Sequence, residues 1–221
     1  MISSFSVVIA RYSEDLCWLS NVQAPLYIYN KGPSLINNEN SNSSILTLSN
    51  VGRESHSYVH HIIENYDKLT DIVVFLQGNP FDHIQSIDNL ISDAKKYGMS
   101  QNKKVHQVGN CSAHKNFTIF VHNNKNVLPF NNYNLGEWYE YITNKKFPTQ
   151  PVEWYIGACF AATKEYIRSV PKSVWEKIRD SLSYSHDPVT GHYMERSWYL
   201  LCAPPTPTPT LTPTPKKTYI L

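Results

Sequence analysis

The alternation of apolar and polar positions along the chain predicts an ordered series of strands and helices. Short runs rich in β-branched and aromatic residues predict strands over residues 6–12, 26–29, 45–48, 72–76, 105–108, 117–121 and 154–162. Apolar residues at helical spacing, often behind a capping residue or a proline, predict helices that begin near Arg53, Pro80, Leu135, Thr163 and Pro171. The chain therefore mixes both types of element throughout most of its length.

The order of these elements predicts the fold class. Helices that separate successive strands favour right-handed crossovers and a mainly parallel sheet with helices on both faces. We therefore predict a single Rossmann-like α/β domain over residues 1–202. Residues 203–221 form a Pro/Thr-rich tail that we expect to be disordered, with a polyproline-II stretch in Ala203–Pro215. The tail is either an inert extension or a spacer that binds a proline-recognising partner, which the sequence does not identify.

Composition and charge narrow the class of protein. The chain has 221 residues, 20 Lys and Arg against 18 Asp and Glu, and a net charge of +2. This balance argues against a protein that binds nucleic acid through a broad basic face. No apolar run is long enough for a membrane span. The 4 cysteines form no Cys-x-x-Cys pair, and the N-terminus has no targeting signal. We expect a cytoplasmic protein in a reducing compartment, or one in the host cytoplasm if the source is a virus.

The aromatic content is high, with 15 Tyr, 5 Trp and 8 Phe. Tyr and Trp combine an apolar ring with a polar tip, which suits surfaces that bind sugars. The simpler interpretation is that most of these side chains fill the core.

Polar residues gather where the predicted strands end, and this indicates a ligand site. In open α/β sheets, ligands bind beyond the carboxyl ends of the strands. Gly78 would let a ligand approach the backbone, and a helix beginning at Asn79-Pro80 would supply free N–H groups for phosphate. The candidate substrate-binding residues at this edge are Arg11, Glu14, Asn30, Asn50, Gly52, Arg53, Gln77, Gly78 and Asn79.

Two further groups of side chains offer acid–base or metal chemistry. Asp82 and His83 are oxygen and imidazole ligands for a divalent cation, although Asp82 also suits the first turn of a helix. A partly buried Glu195 would serve as a general base, and Arg196 would bind substrate. The alternative is that Glu195 and Arg196 form a structural ion pair. No serine-hydrolase elbow, Walker loop, Gly-x-Gly-x-x-Gly loop or catalytic cysteine signature is present.

Several segments together resemble a family of uncharacterised domains found in fungi, other eukaryotes and large DNA viruses. The segments are VVIARYSEDLCWL, YIYNKG, NVGRESHSYVHHIIENYD, DIVVFLQGNPFDH, WYIGACFAATKEYI and HYMERSW, and they span residues 7–198. The Pro-Thr tail is similar to extensions of large algal virus proteins, in composition only.

The order of motifs is also remotely similar to that of GT-A-type glycosyltransferases, which transfer sugar from a nucleotide diphosphate. Asn50-Val51-Gly52 resembles the segment that opens a helix before the central strand in those enzymes. Gly157-Ala158-Cys159-Phe160, Lys164-Glu165 and Glu195-Arg196 resemble their later motifs. The position of the Asp-x-Asp motif instead holds Gln77-Gly78-Asn79, which has no carboxylate.

The second resemblance implies a GT-A-like fold and a transferase that moves a sugar from a nucleotide-diphosphate donor to a hydroxyl acceptor. It implies Arg11 and Arg53 at the diphosphate, Gln77, Asn79 and Asp82 at the donor, and Glu195 as the acceptor base. Mn²⁺ or Mg²⁺ would bind through Asp82, His83 and His192, unless the protein works without metal. The alternatives are a non-catalytic carbohydrate-binding or interaction module tethered by the tail, and a metal-dependent hydrolase that uses Asp82, His83 and His192.

Overall fold

A computed structural model describes residues 4–35, 42–101, 106–109, 116, 130, 132–149, 152–155 and 158–202. The strands are β1 (Phe5–Arg11), β2 (Leu26–Asn30), β3 (Ser43–Thr47), β4 (Ile72–Gln77), β5 (Met99–Gln101), β6 (His106–Gly109), β7 (Val152–Tyr155) and β8 (Phe160–Thr163). The helices are α1 (Arg53–Asn65), α2 (Ile87–Tyr97), α3 (Leu135–Thr143), α4 (Lys164–Arg168), α5 (Lys172–Leu182) and α6 (Val189–Cys202), and a short 3-10 helix spans Cys17–Asn21.

Six strands form one mostly parallel sheet in the order β3-β2-β1-β4-β8-β5. Strands β3, β2, β1 and β4 are parallel, whereas β8 runs antiparallel to both of its neighbours. The chain builds outward from β1 to β3 and returns through α1 to β4 on the other side of β1. The connections that leave β1 and β4 therefore diverge, which opens a crevice at their carboxyl ends. Strands β6 and β7 pair separately as a two-stranded antiparallel sheet.

Alternate side chains of the central strands enter two different cores, one on each face of the sheet. Val8 and Phe75 belong to the core that includes residues of α1, α3, α5 and α6. Ile9 and Val74 face the other side, where α2 and the 3-10 helix cover the sheet. Successive side chains of a strand point to opposite faces of the sheet. The continuous apolar runs of β1 and β4 are therefore expected when both faces are buried. Helices therefore cover both faces, as predicted.

The fully buried aromatic side chains of the described residues lie in the first of these cores. Phe75, Phe160 and Trp198 pack with ring centroids 4.8–6.2 Å apart. Trp138, Trp175, Tyr58 and Tyr193 are also fully buried. For these residues the core interpretation is confirmed, and they are not available to a sugar on the surface.

The strands predicted near residues 6–12, 26–29, 45–48, 72–76 and 105–108 are confirmed, as are the helices that begin near Arg53, Leu135, Thr163 and Pro171. The single strand predicted over residues 154–162 is wrong. Ala158 has a left-handed φ of 43°, which interrupts the apolar run. The two parts belong to different sheets, because β7 pairs with β6 and β8 pairs with β4.

The helix predicted to begin at Pro80 also needs correction. The Pro80 carbonyl accepts hydrogen bonds from the amides of His83 and Ile84, which closes one isolated turn. Helix α2 starts later, at Ile87, because the Ser86 side chain caps it by accepting from the Asn89 amide. Gly98 ends α2 as its C-cap, with a φ of 82°. Residues 78–83 are therefore a loop and a turn, without a helix N-terminus.

The loop between α5 and α6 is short and spans residues 183–188. Helix α6 begins at Val189, directly after Pro188. The N–H groups at the start of a helix have no acceptor within the helix, so a proline there costs no hydrogen bond. His192 is consequently a helical residue. The predicted strand over residues 117–121 and the tail over residues 203–221 lie outside the described residues. None of the helices in the described part of the chain combines the length and apolar character that crossing a bilayer requires.

Candidate functional site

A cavity of about 750 Å³ opens at the carboxyl ends of β1 and β4, where the order of the sheet reverses. The first strand and the segment after it contribute Ala10, Arg11, Tyr12 and Glu14, and β4 and the following loop contribute Gln77 and Asn79. The start of α1 and the loops beside it contribute Lys31, Asn50, Arg53, Glu54, His186 and Asp187. A volume of this size holds a small organic ligand.

The cavity brings together part of the predicted substrate-binding set. Arg11, Glu14, Asn50, Arg53, Gln77 and Asn79 line it. Asn30, Gly52, Gly78 and Arg196 do not line it, and neither do Asp82, His83, His192 and Glu195. The register explains the convergence: Arg11 pairs with Asn30, and Ala10 with Gln77, so the strands end at one level.

Arg11 has its donors directed at the protein itself. Its Nη1 donates to the Asn30 Oδ1 at 2.7 Å, to the Pro33 carbonyl at 2.9 Å and to the Tyr12 carbonyl at 3.1 Å, while Nε donates to the Glu14 carbonyl at 2.9 Å. The amide of Asn30 donates in turn to the carbonyls of Gly32 and Pro33. Both side chains are buried, so they hold together the two loops that leave β1 and β2.

Gly78 does not leave room for a ligand as predicted, because Glu14 occupies that space. A Cβ at position 78 would lie 2.7 Å from the Glu14 Oε2, and the Trp18 indole N–H donates to the Gly78 carbonyl at 2.9 Å. The same Glu14 oxygen accepts from the amides of Tyr12 and Ser13. The absence of a side chain at position 78 thus allows the β1 and β4 loops to pack against each other.

The turn before α1 depends on a left-handed glycine. Gly52 has a φ of 64°, and a Cβ there would lie 2.8 Å from the Leu182 Cβ. The amides of Gly52 and Arg53 donate to the carbonyls of Ser185 and His186. The turn therefore docks on the loop before α6, which brings Arg53 next to that loop.

Lys31 and Glu54 are two cavity residues to which the sequence assigned no chemical role. The Lys31 ammonium donates to the carbonyls of Val51 and Arg53. Burial lowers the pKa of Lys31 to about 8, although the Glu54 carboxylate opposes this shift. Burial also raises the pKa of the Glu54 carboxyl, against the effect of the Arg53 cation. Titratable groups with perturbed pKa values in a cavity are typical of functional sites.

Arg53 is surrounded by side chains of the loop before α6 and of α6 itself. Its Nη1 lies 2.9 Å from the His192 Nδ1 and 3.6 Å from the Asp187 Oδ1, and its Nε lies 3.8 Å from the Glu54 Oε2. Burial and the Arg53 cation lower the pKa of His192, which keeps its ring neutral at neutral pH. His186 and Asp187 carried no signal in the sequence beyond a turn-rich composition.

Glu195 and Arg196 form the ion pair that the sequence offered as the alternative to a catalytic role. The Glu195 Oε2 lies 3.7 Å from the Arg196 Nη1, and both side chains are nearly buried. The same Arg196 atom donates to the His192 carbonyl within α6. The negative charge of Glu195 acts on the pKa of Glu54, so the pair lies near the cavity wall although neither residue lines it.

The predicted metal ligands are not gathered into a site. Among the described residues, no three His, Cys, Asp or Glu side chains form a group that could hold a metal ion. Asp82 and His83 lie on the isolated turn after β4, while the ring nitrogens of His192 lie 2.9 Å and 3.2 Å from the Arg53 Nη1. The described residues therefore do not fit a bound Mn²⁺ or Mg²⁺, and they do not assemble the ligands of a metal-dependent hydrolase.

The chain matches the family described as "Protein of unknown function (DUF3431)" over residues 7–219, and it belongs to that family. The match covers the sheet except for the first two residues of β1, and it includes the cavity and α6. A comparison with curated proteins finds no match. Family membership thus confirms the resemblance to an uncharacterised domain family. The evidence for a particular chemistry comes from the residues of the cavity.

Proposed function

We propose that the chain is a GT-A-like, Rossmann-like glycosyltransferase domain that binds a nucleotide-diphosphate sugar and transfers the sugar to a hydroxyl group. The observation that carries this proposal is the cavity at the point where the strand order reverses. Strands β3, β2, β1 and β4 stand in the 3-2-1-4 order of doubly wound nucleotide-binding sheets, which bind their ligand at this reversal. The motif order in the sequence supports the same class of protein.

Two cations at one wall of the cavity suit a diphosphate, in a lining that also includes the carboxylates of Glu14, Glu54 and Asp187. Arg53 presents a guanidinium, which binds phosphate oxygens in pairs, and Lys31 adds an ammonium next to it. Two of the three N–H donors of Lys31 are used on the carbonyls of Val51 and Arg53, which leaves one without a partner among the described residues. The N-terminus of α1 adds a partial positive charge at the same wall. The amides of Asn50, Gln77 and Asn79 would bind hydroxyl or base edges of the donor.

Glu54 is the acceptor base in this proposal, in place of Glu195. Its side chain lines the cavity and is only 11% exposed, whereas Glu195 does not line the cavity. The Glu54 carboxylate would take the proton of the acceptor hydroxyl as the acceptor oxygen bonds to the anomeric carbon. The bond from that carbon to the phosphate oxygen breaks, and the nucleoside diphosphate leaves with the electron pair. One displacement of this kind inverts the configuration at the sugar.

Thermal unfolding in the presence of nucleotide sugars tests the proposal. A UDP- or GDP-sugar at about 100 times its Kd should stabilise the fold by about 2.7 kcal/mol. The titration is run with and without Mn²⁺, although the described residues do not fit a metal. If no nucleotide or nucleotide sugar changes the unfolding temperature in either condition, the transferase proposal is wrong.

The assignment of the base is tested by a matched pair of substitutions. With the nucleotide sugar that binds, Glu54→Gln should lower the transfer rate by about 10²–10⁴-fold and leave donor affinity within about threefold. Glu195→Gln changes the same chemical group just outside the cavity and should lower the rate far less. The reverse ranking would return the role of base to Glu195.

The second candidate is a non-catalytic carbohydrate-binding or interaction module of the same fold. The observation that favours it is Gln77-Gly78-Asn79, which offers no carboxylate where GT-A-type enzymes have their Asp-x-Asp motif. Such a module would be stabilised by free saccharides and would show no response to nucleotides. The same thermal unfolding experiment, extended to free saccharides, separates the two candidates.

A further inference from the structure

The guanidinium of Arg53 is oriented by side chains from two other segments of the chain. The His192 Nδ1 on α6 lies 2.9 Å from the Arg53 Nη1, and the Asp187 Oδ1 lies 3.6 Å from the same atom. The His192 Nε2 lies 3.3 Å from the Asp187 Oδ1. Three side chains that are far apart in sequence therefore form one connected chain of polar contacts.

Both ring nitrogens of His192 lie near the Arg53 Nη1, Nδ1 at 2.9 Å and Nε2 at 3.2 Å, and the contact with Asp187 distinguishes them. Asp187 accepts and cannot donate when ionised, and its Oδ1 lies 3.3 Å from Nε2, so it favours the tautomer with the hydrogen on Nε2. The Nδ1 then has a free lone pair, which accepts a hydrogen bond from the Arg53 Nη1. Because that lone pair is used on Arg53, His192 cannot at the same time bind a metal ion through Nδ1. The arrangement explains why the sequence-predicted metal role of His192 does not fit.

Arg53 and His192 differ in their exposure to the cavity. Arg53 lines the cavity and its side chain is 32% exposed, whereas His192 is only 18% exposed and does not line the cavity. A flexible arginine loses side-chain freedom when it binds an anion, and an arginine that is already held loses less. The contact with His192 thus prepares Arg53 for an anionic group in the cavity.

We propose that His192, fixed in its tautomer by Asp187, is a positioning residue that holds Arg53 to bind the diphosphate of the ligand. The inference rests on the proposed function for the identity of that ligand. Neither His192 nor Asp187 performs chemistry on it. The charged groups that face this contact are Lys31, Glu54, Glu195 and Arg196, and they stay unchanged in the test.

Calorimetric titration with inorganic pyrophosphate tests the inference without a nucleotide or a sugar. His192→Leu keeps much of the side-chain volume and removes the acceptor, so the affinity for pyrophosphate should fall about tenfold, the typical value of one hydrogen bond to a charged group. His192→Asn places an oxygen near the position of Nδ1 and should retain the affinity within about threefold. His60→Leu makes the same change on α1, where no described hydrogen bond joins His60 to Arg53, and should have no effect.

A second measurement needs no substitution. In the ¹⁵N spectrum of the wild-type imidazoles, His192 should show the tautomer protonated at Nε2. The inference is overturned if His192 is protonated at Nδ1, if His192→Leu binds pyrophosphate as the wild type does, or if the wild type does not bind pyrophosphate. A protein that binds pyrophosphate in this pattern but responds to no nucleotide sugar would retain the inference and lose the proposed function.

Discussion

Arg11 and Arg53 are two arginines on the wall of one cavity, and they differ in what they contact. Arg11 ends β1, is buried, and directs its hydrogen bonds at backbone carbonyls and at Asn30. Arg53 begins α1, is one-third exposed, and its guanidinium lies near the side chains of Glu54, Asp187 and His192. Arg11 connects the loops of the sheet through its hydrogen bonds. Arg53 is oriented by neighbouring side chains, and part of it stays exposed.

The difference shows that position at the end of a strand does not by itself define a binding residue. Both arginines were expected at the diphosphate because both follow elements that end at the same edge of the sheet. The backbone carbonyls that accept from Arg11 cannot move without a change in the loops that carry them. The hydrogen bonds of the Arg11 guanidinium therefore stabilise the fold. The partners of Arg53 leave part of the guanidinium open to the cavity, so we propose the diphosphate role for Arg53 and Lys31.

The largest effect that we predict concerns Arg11. Arg11→Met removes four hydrogen bonds made by one buried side chain, including the buried bond to Asn30, so the free energy of unfolding should fall by about 3–5 kcal/mol. Arg53→Met should lower it by less than about 1 kcal/mol, because that side chain is partly exposed. Urea denaturation of both variants measures the contrast. Equal losses for the two variants would remove the distinction between them.

A somewhat smaller effect is expected at the turn that carries Arg53. Gly52→Ala forces a side chain into a left-handed conformation and against the backbone of Leu182, which should lower the free energy of unfolding by about 2–3 kcal/mol. Ser49→Ala, at an exposed position before the same turn, should stay within about 0.5 kcal/mol of the wild type. A Gly52→Ala variant as stable as the wild type would show that the turn does not need its left-handed glycine.

Much of the fold could be predicted because its signals are local. The continuous apolar runs predict β1 and β4, and the helical spacing of apolar residues predicts α1 and α5. Both patterns depend only on near neighbours in the chain. The antiparallel insertion of β8 could not be predicted, since its pairing with β4 depends on residues about 90 positions apart. The start of α2 was misplaced because Asn79-Pro80 and Ser86-Ile87 are both valid start signals, and only the surrounding packing selects the second.

The candidate site was predictable only at the level of its neighbourhood. The rule that ligands bind at strand ends predicted that Arg53, Asn50, Gln77 and Asn79 lie together, and these residues line the cavity. It could not show that Arg11 and Asn30 bond to each other, or that Glu14 fills the space above Gly78. Asp187 joins the cavity through a loop that is more than 130 residues from Arg53 in sequence, and no local pattern marks such a contact.

The smallest effect that we predict is the pH dependence that Lys31 gives to the affinity for pyrophosphate. The pKa of Lys31 is about 8, so its ammonium loses its charge as pH rises through that value, and the affinity should fall about tenfold between pH 7 and pH 9. Lys31→Arg keeps the charge over this range and should flatten the profile. An identical pH profile in the variant would contradict the role of Lys31.

Titration of Lys31 should not lower the free energy of unfolding between pH 7 and pH 9. The pKa of Lys31 in the folded protein lies below its ordinary value of 10.5, so the unfolded chain binds more protons between about pH 8 and pH 10.5. The contribution of Lys31 to stability therefore rises with pH in that window. Loss of affinity above pH 8 then reports the charge of Lys31 and not unfolding.

The most direct test of the central claim is a calorimetric titration of UDP and GDP into the wild-type protein and into Arg53→Met. We predict saturable binding of at least one nucleoside diphosphate by the wild type and an affinity at least about tenfold lower for the variant. Equal affinity in the two proteins, or no binding of either nucleotide by the wild type, would contradict a diphosphate site at the junction of β1, β4 and α1.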